Sequence, residues 1–193
     1  MSSGRIRPAV SGSRRLRYCC LVNLDELLQE VTEVLDGLNL RWALIGGLAL
    51  GAYGVGRPTS DVDLIVDFES QATILAEFET RGFETLHASS GYSNHLRDRD
   101  RVDLVYVRGD TASRIFESVQ QVSQGDRNIH VVRPEHLAAM KVLAMKNDPS
   151  RLVSELADLE QLLRIPGVDK EAIRLQFERH GLEGYYHHLL ERI

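Results

Sequence analysis

The chain has 193 residues, enough for one substantial core or a core with a small helical appendage. Hydrophobic residues make up 43% and charged residues 26%, as in an ordinary globular protein, and no apolar run approaches the roughly 18 residues of a bilayer span. The net charge of −5 argues against a surface that grips nucleic acid everywhere, while a local basic patch stays possible.

The charge is uneven. Residues 1–20 hold Arg5, Arg7, Arg14, Arg15 and Arg17 and no acid, so the rest carries 18 basic against 28 acidic side chains. This Ser/Gly/Arg-rich stretch reads as a disordered basic tail or an over-long start to the chain. Its functional alternative is an RNA-binding arm. The composition also fits a transit peptide, whereas a secretory signal would need an apolar core after the arginines. Cys19 and Cys20 are adjacent and are the only cysteines. They give neither a disulfide framework nor a cysteine zinc site, which favours the cytoplasm.

The first predicted helix runs from Asn23 to about Leu38, with Asn23 and Glu26 close to a capping box and Leu24, Leu27, Leu28, Val31, Val34, Leu35 and Leu38 on one face. Trp42 to Ile45 reads as a short buried strand, Leu48 to Tyr53 as a short helix and Asp61 to Asp67 as a second strand. A helix follows over Ser70–Thr80, then strands over Phe83–Ala88, Ser93–Arg99 and Arg101–Arg108. Ile115, Phe116, Val119 and Val122 predict a helix from Thr111 to about Gln124. Asn128 to Val132 is a short strand, and Pro134 sits where a first helical residue belongs, ahead of His136–Lys146. Leu152, Val153, Leu156, Leu159 and Leu163 form the next helical stripe, and Asp169 caps a helix to about His180 ahead of a short last one. His180, His187 and His188 lack metal-ligand spacing and read as surface or packing residues. The predicted fold is α+β: a mixed sheet flanked by helices over residues 21–132, then a helical bundle over 133–193.

Within this order, Trp42–Asp67 carries the chemistry. Asp61 and Asp63 are two positions apart on a strand, so their side chains share a face. Two like charges there repel, and a divalent cation between them removes that cost. Mg²⁺ suits oxygen ligands and is commonly held by one or two carboxylates plus substrate phosphates. The Gly46-Gly47 turn ahead of a helix offers backbone N–H groups to phosphate oxygens. Metal pair and phosphate cradle together suggest phosphoryl or nucleotidyl transfer.

Gly46-Gly47 followed by Arg57-Pro58-Thr59-Ser60-Asp61-Val62-Asp63-Leu64 resembles the signature of the polymerase-β-like nucleotidyltransferase superfamily, and within it the small AbiEii-type abortive-infection toxins. The resemblance covers about residues 40–165. It implies a third acid on a later strand. Asp103, alone among apolar neighbours in Arg101–Val107, is the candidate; Asp98 and Asp100 lie in a charged run that reads as a turn. The alternative for Asp103 is a plain ion pair with Arg101 or Arg108. By the family pattern Asp61 and Asp63 hold two Mg²⁺ ions and the triphosphate, and Asp103 holds the ion that activates the acceptor hydroxyl.

Arg57 is a candidate phosphate contact and Thr59 a residue that orients Asp61. Lys141, inside the apolar stripe of its helix, is placed by the resemblance near the triphosphate, with Asp158 on the following helix as its support. The family's Lys-Asp-x-x-Asp form is altered here, Ser154-Glu155 standing for Lys-Asp. The expected activity is Mg²⁺-dependent transfer of NMP from an NTP such as ATP to a hydroxyl, with release of pyrophosphate. The acceptor would be RNA (a tRNA 3′ end) or protein, with an antitoxin partner. Alternatives are transfer to an antibiotic-like small molecule and a catalytically silent binding module.

Overall fold

The computed structural model describes residues 23–124 and 127–193. The Arg-rich segment and both cysteines lie outside the described residues. The chain opens on α1 (Leu24–Gly37), where Asn23 accepts a hydrogen bond from the Glu26 N–H, and Leu27, Leu28, Val31 and Leu35 are buried. The Trp42 indole donates to Asp36 at 2.7 Å and ties this helix to β1 (Trp42–Leu44). Next come α2 (Gly46–Ala52), β2 (Asp61–Asp67), α3 (Gln71–Thr80) and a run of three strands: β3 (Glu84–Ala88), β4 (Tyr92–Arg97) and β5 (Asp100–Val107). Both glycines of the predicted turn are thus the first turn of α2 itself.

After α4 (Gly109–Glu117) comes a correction to the sequence reading. Residues 120–124 are not helical but form β6 (Gln120–Gln124), antiparallel to β7 (Arg127–Val131). The spacing of Ile115, Phe116, Val119 and Val122 suits a helix, but the strand pairs Val122 with Ile129 and gives the backbone of this segment a ladder partner. Among the described residues the remaining elements are helices: α5 (Pro134–Asn147), α6 (Leu152–Leu163), α7 (Lys170–Arg179) and α8 (Glu183–Leu190). Pro134 opens α5, and the Asp169 carboxylate caps α7 through the Ala172 N–H, as the sequence predicts.

The sheet has seven strands in the order β3-β4-β5-β2-β1-β7-β6. It is mixed: β2 runs parallel to β5 and antiparallel to β1, while β1 and β7 are parallel. Fully buried side chains come from the sheet (Leu44, Leu64, Leu104), from α3 (Phe78) and from the C-terminal helices (Leu137, Leu159, Phe177), and they form one cluster. Parallel pairing of Leu44 with Val131, followed by a hydrogen bond from the Val132 N–H to the Leu44 carbonyl, delivers the start of α5 to the end of β1 where α2 begins.

The two faces of β4 and β5 differ. One is buried and holds Ser93, His95, Val102 and Leu104, with the Phe78 ring edge-on to His95 at 4.8 Å. Its polar atoms satisfy one another: Thr85 Oγ1 lies 3.1 Å from His95 Nδ1, and Ser93 Oγ lies 2.7 Å from both His95 Nε2 and the Tyr106 hydroxyl. Burial pushes the His95 imidazole down to about 4, against a weaker opposing pull from Asp103. The other face carries Asn94 and Asp103, partners across the ladder.

Candidate active site

Parallel pairing of β2 and β5 sets Asp63 beside Asp103 and Asp61 beside Arg101. Because side chains alternate, all four project from one face. Asp61, Asp63 and Asp103 each offer a carboxylate oxygen within 4.8 Å of the others. The third acid is therefore where the sequence placed it. Asp98 instead adopts φ +55° between β4 and β5, and Asp100 is bound by Arg97 at 3.0 Å.

Each carboxylate has its own holder. Thr59 Oγ1 donates to Asp61 at 2.6 Å, the orienting contact expected of it. Asp103 accepts from Asn94 Nδ2 at 2.9 Å and from Arg101 through Nε at 3.2 Å and Nη2 at 3.1 Å. The ion-pair alternative for Asp103 is thus realised, and in the same structure Asp103 belongs to the triad. Asp63 packs against the glycines. Gly46 has φ +65°, and a Cβ there would lie 1.9 Å from Asp63 Oδ2. A Cβ on Gly47 would lie 2.7 Å from Thr59 Cβ. Glycine is therefore required at both positions by close approach, and at Gly46 by backbone conformation as well. Burial, then the charges of Asp61 and Asp103, push the Asp63 carboxyl up to about 7, opposed by the Gly47 backbone N–H and by Lys141.

Beyond the triad lies a buried charge network. Lys141 Nζ donates to Asp158 at 2.6 Å and to Glu155 at 2.9 Å, with all three side chains at most 9% exposed. Arg57 reaches across from the α2–β2 loop to the same Asp158 oxygen at 2.6 Å, and Arg151 pairs with Glu155. The structure brings Arg57, Lys141 and Asp158 together, and Lys141 is near enough to influence Asp63. Sequence reasoning missed Glu155 as a lysine partner. Its signal was there: Glu155 and Asp158 are three apart on a helix and share a face, so the altered motif keeps a carboxylate at that place. Asn94 was also missed, since nothing local to β4 says which residue lies across from it.

The donor set fits a divalent cation. It is three hard-oxygen ligands on one face, with the Asp63 carboxyl pushed up to about 7 by burial and by the charges of its two neighbours. Residues 27–192 match the model of the family described as nucleotidyl transferase AbiEii toxin, Type IV TA system. The chain belongs to the AbiEii nucleotidyltransferase family. The AbiEii assignment agrees with the fold of solved structures at low sequence identity. The solution structure of the antibiotic-resistance factor ANT(2'')-Ia superposes with a TM-score of 0.66 at 17% identity, covering 84% of this chain and 96% of that one. The lincosamide antibiotic adenylyltransferase LnuA, solved with lincomycin, gives 0.56 at 13%, covering 73% and 97%. A putative nucleotidyltransferase from Thermotoga maritima gives 0.53 at 13%, covering 70% and 92%. Among curated proteins, none matches the sequence. No helix among the described residues is long and apolar enough to cross a membrane.

Proposed function

We propose that this AbiEii-family protein transfers NMP from an NTP to an acceptor hydroxyl with Mg²⁺, releases pyrophosphate, and acts as a toxin on RNA. One observation carries the reading: three carboxylate oxygens gathered within 4.8 Å on one sheet face. Asp61, Asp63 and Asp103 hold the metal. Bound Mg²⁺ supplies charge neutralisation at the triphosphate and a lowered pKa for the acceptor hydroxyl.

The remaining work falls to the chain. Asp103, on the side of the triad away from α2, faces the acceptor and takes its proton. The acceptor oxygen bonds to the α-phosphorus as the bond to the β-phosphate oxygen breaks. Gly46 and Gly47 put no side chain between the triad and the triphosphate, and Thr59 keeps Asp61 aimed. Lys141, anchored by Asp158 and Glu155, has a third ammonium proton for a phosphate oxygen. Arg57 is 40% exposed and offers its outer edge to the same group. NTP, RNA and a restraining antitoxin are the partners of this reading, and the cytoplasm is its setting.

A second reading, transfer to a cationic small molecule, is favoured by the excess of acids over bases outside residues 1–20.

The test is a label-transfer assay. Protein with Mg²⁺ receives each α-labelled NTP in turn with cell extract as acceptor, beside an Asp61→Ala, Asp63→Ala double variant. Label in RNA, lost in the variant, is the expected result. Label in a small molecule selects the second reading. Label that persists in the variant would refute the site.

A further inference from the structure

The sheet continues past the triad into an open half. Moving outward from Asp103 on β5, its face passes to Asn94 and Tyr92 on β4 and then to His87 on β3, which pairs with Asn94. Tyr92 is two residues from Asn94 and shares its face. It is 46% exposed, and the whole of β3 is exposed. The rings of His87 and Tyr92 stack, with centroids 4.8 Å apart and planes 20° from parallel. On the other side of Asp103 along β5, Arg101 is half exposed. It spends Nε and one Nη2 bond on Asp103, and its Nη1 has no partner among the described residues.

This surface has a definite chemistry. Two stacked aromatic rings with an outer face open to solvent extend a stack by one more planar ring. A guanidinium with a free edge binds a phosphate. Tyr92 lies one strand spacing and His87 two from β5, roughly 5 and 10 Å, so one nucleotide can bridge the pair and the triad. The alternative acceptors fit less well. A cationic small molecule would meet Arg101 beside the reacting hydroxyl, and a protein acceptor would bring no backbone phosphate to that guanidinium. The cations assigned to the triphosphate, Lys141 and Arg57, lie with α5 and the α2–β2 loop, which leaves the β5–β3 half to the acceptor.

We infer that Arg101, Tyr92 and His87 form the acceptor platform of the enzyme and that it takes the 3′ end of a single-stranded RNA, with a terminal base on the Tyr92–His87 stack and a backbone phosphate on Arg101. The inference rests on the nucleotidyl-transfer reading of an RNA acceptor and adds the residues that would hold it.

The test uses the full chain with Mg²⁺ and a short fluorescein-labelled oligoribonucleotide bearing a free 3′-hydroxyl, followed by fluorescence anisotropy across a salt series. Tyr92→Ala is expected to weaken binding about tenfold or more, the size of a lost base–aromatic stack, and Tyr92→Phe to restore it. Arg101→Ala should lower the slope of log K against log salt by about 0.7, one phosphate contact on a single strand. In label transfer, Tyr92→Ala should raise KM for the same RNA by a similar factor. Melting curves confirm that each variant is folded.

RNA binding that is indifferent to both Tyr92→Ala and Arg101→Ala would overturn the platform. So would Asp61- and Asp63-dependent label that settles only in protein or small molecules, although nucleotidyl transfer would then stand. If Mg²⁺-dependent NTP binding and transfer are both absent from the wild type, the parent reading fails and the platform falls with it.

Discussion

Gly46→Ala isolates what the glycine turn does. Two costs are built into the change. The first is backbone: φ +65° is left-handed, where an alanine costs about 1–2 kcal/mol. The second is steric. The new Cβ would lie 1.9 Å from Asp63 Oδ2, where ordinary contact begins at 3.4 Å, so the carboxylate or the start of α2 must retreat by about 1.5 Å. Misplacement of about 1 Å at a reacting group is worth about a hundredfold in rate. Gly54→Ala is the matched control. Its φ is +82°, so it bears a comparable backbone cost, but nothing lies within 4 Å of its Cβ. Gly54→Ala should therefore lose about 1–2 kcal/mol in urea unfolding, and Gly46→Ala at least as much. Only Gly46→Ala should lose label transfer, by about a hundredfold or more. Equal activity in the two variants would refute the reasoning, because backbone strain alone would then account for any loss.

Other consequences follow from the same geometry. Asp158→Ala removes the carboxylate shared by Arg57 and Lys141 and leaves the buried ammonium only Glu155. Urea denaturation should show a loss of about 3 kcal/mol, the low end for breaking a buried ion pair, and NTP affinity should fall with it. His95 gives a pH signature. Its folded value of about 4 is below the ordinary 6.5, so the folded protein keeps it neutral while the unfolded chain protonates. Its contribution is complete above pH 6.5 and is lost as pH falls toward 4, up to about 3 kcal/mol. A His95→Gln variant should show a shallower loss of stability across that window in urea titrations at stepped pH. On the proposed function, Mg²⁺ should raise the melting temperature of the wild type relative to EDTA, because only the assembled triad would bind it, and Asp103→Asn should blunt the rise.

The parts of the site legible in the sequence are those whose geometry is local. Asp61 and Asp63 share a face because strands alternate, and Gly46-Gly47 and Thr59 lie close enough along the chain to be read with them. Asp103 was legible as an acid among apolar residues. Its place beside Asp63 depends on a parallel register between strands some forty residues apart, and periodicity carries no register. The same limit explains residues 120–124. Val119 and Val122 sit at helical spacing, and only the presence of β7 as a ladder partner decides for a strand. Asn94, Tyr92 and His87 went unremarked because their significance lies in which strand flanks which.

The charge network ties the C-terminal helices to the loop that leads into the triad. The sequence puts Lys141 inside an apolar stripe. The structure buries it there and holds its ammonium with two carboxylates from the next helix. An unpaired ammonium buried to that degree would be costly. Glu155 and Asp158 pair it, and Arg57 and Arg151 balance the second negative charge. The network thus keeps a cation beside Asp63 without letting the acids of α6 neutralise it outright. Arg57 belongs to the α2–β2 loop that leads into Asp61, so its pairing with Asp158 also fixes the helices against the strand that carries the triad. An Arg57→Ala variant should therefore loosen that junction and lower NTP affinity together, while Arg57→Lys, which keeps one charge but not the planar fork, should recover only part of either.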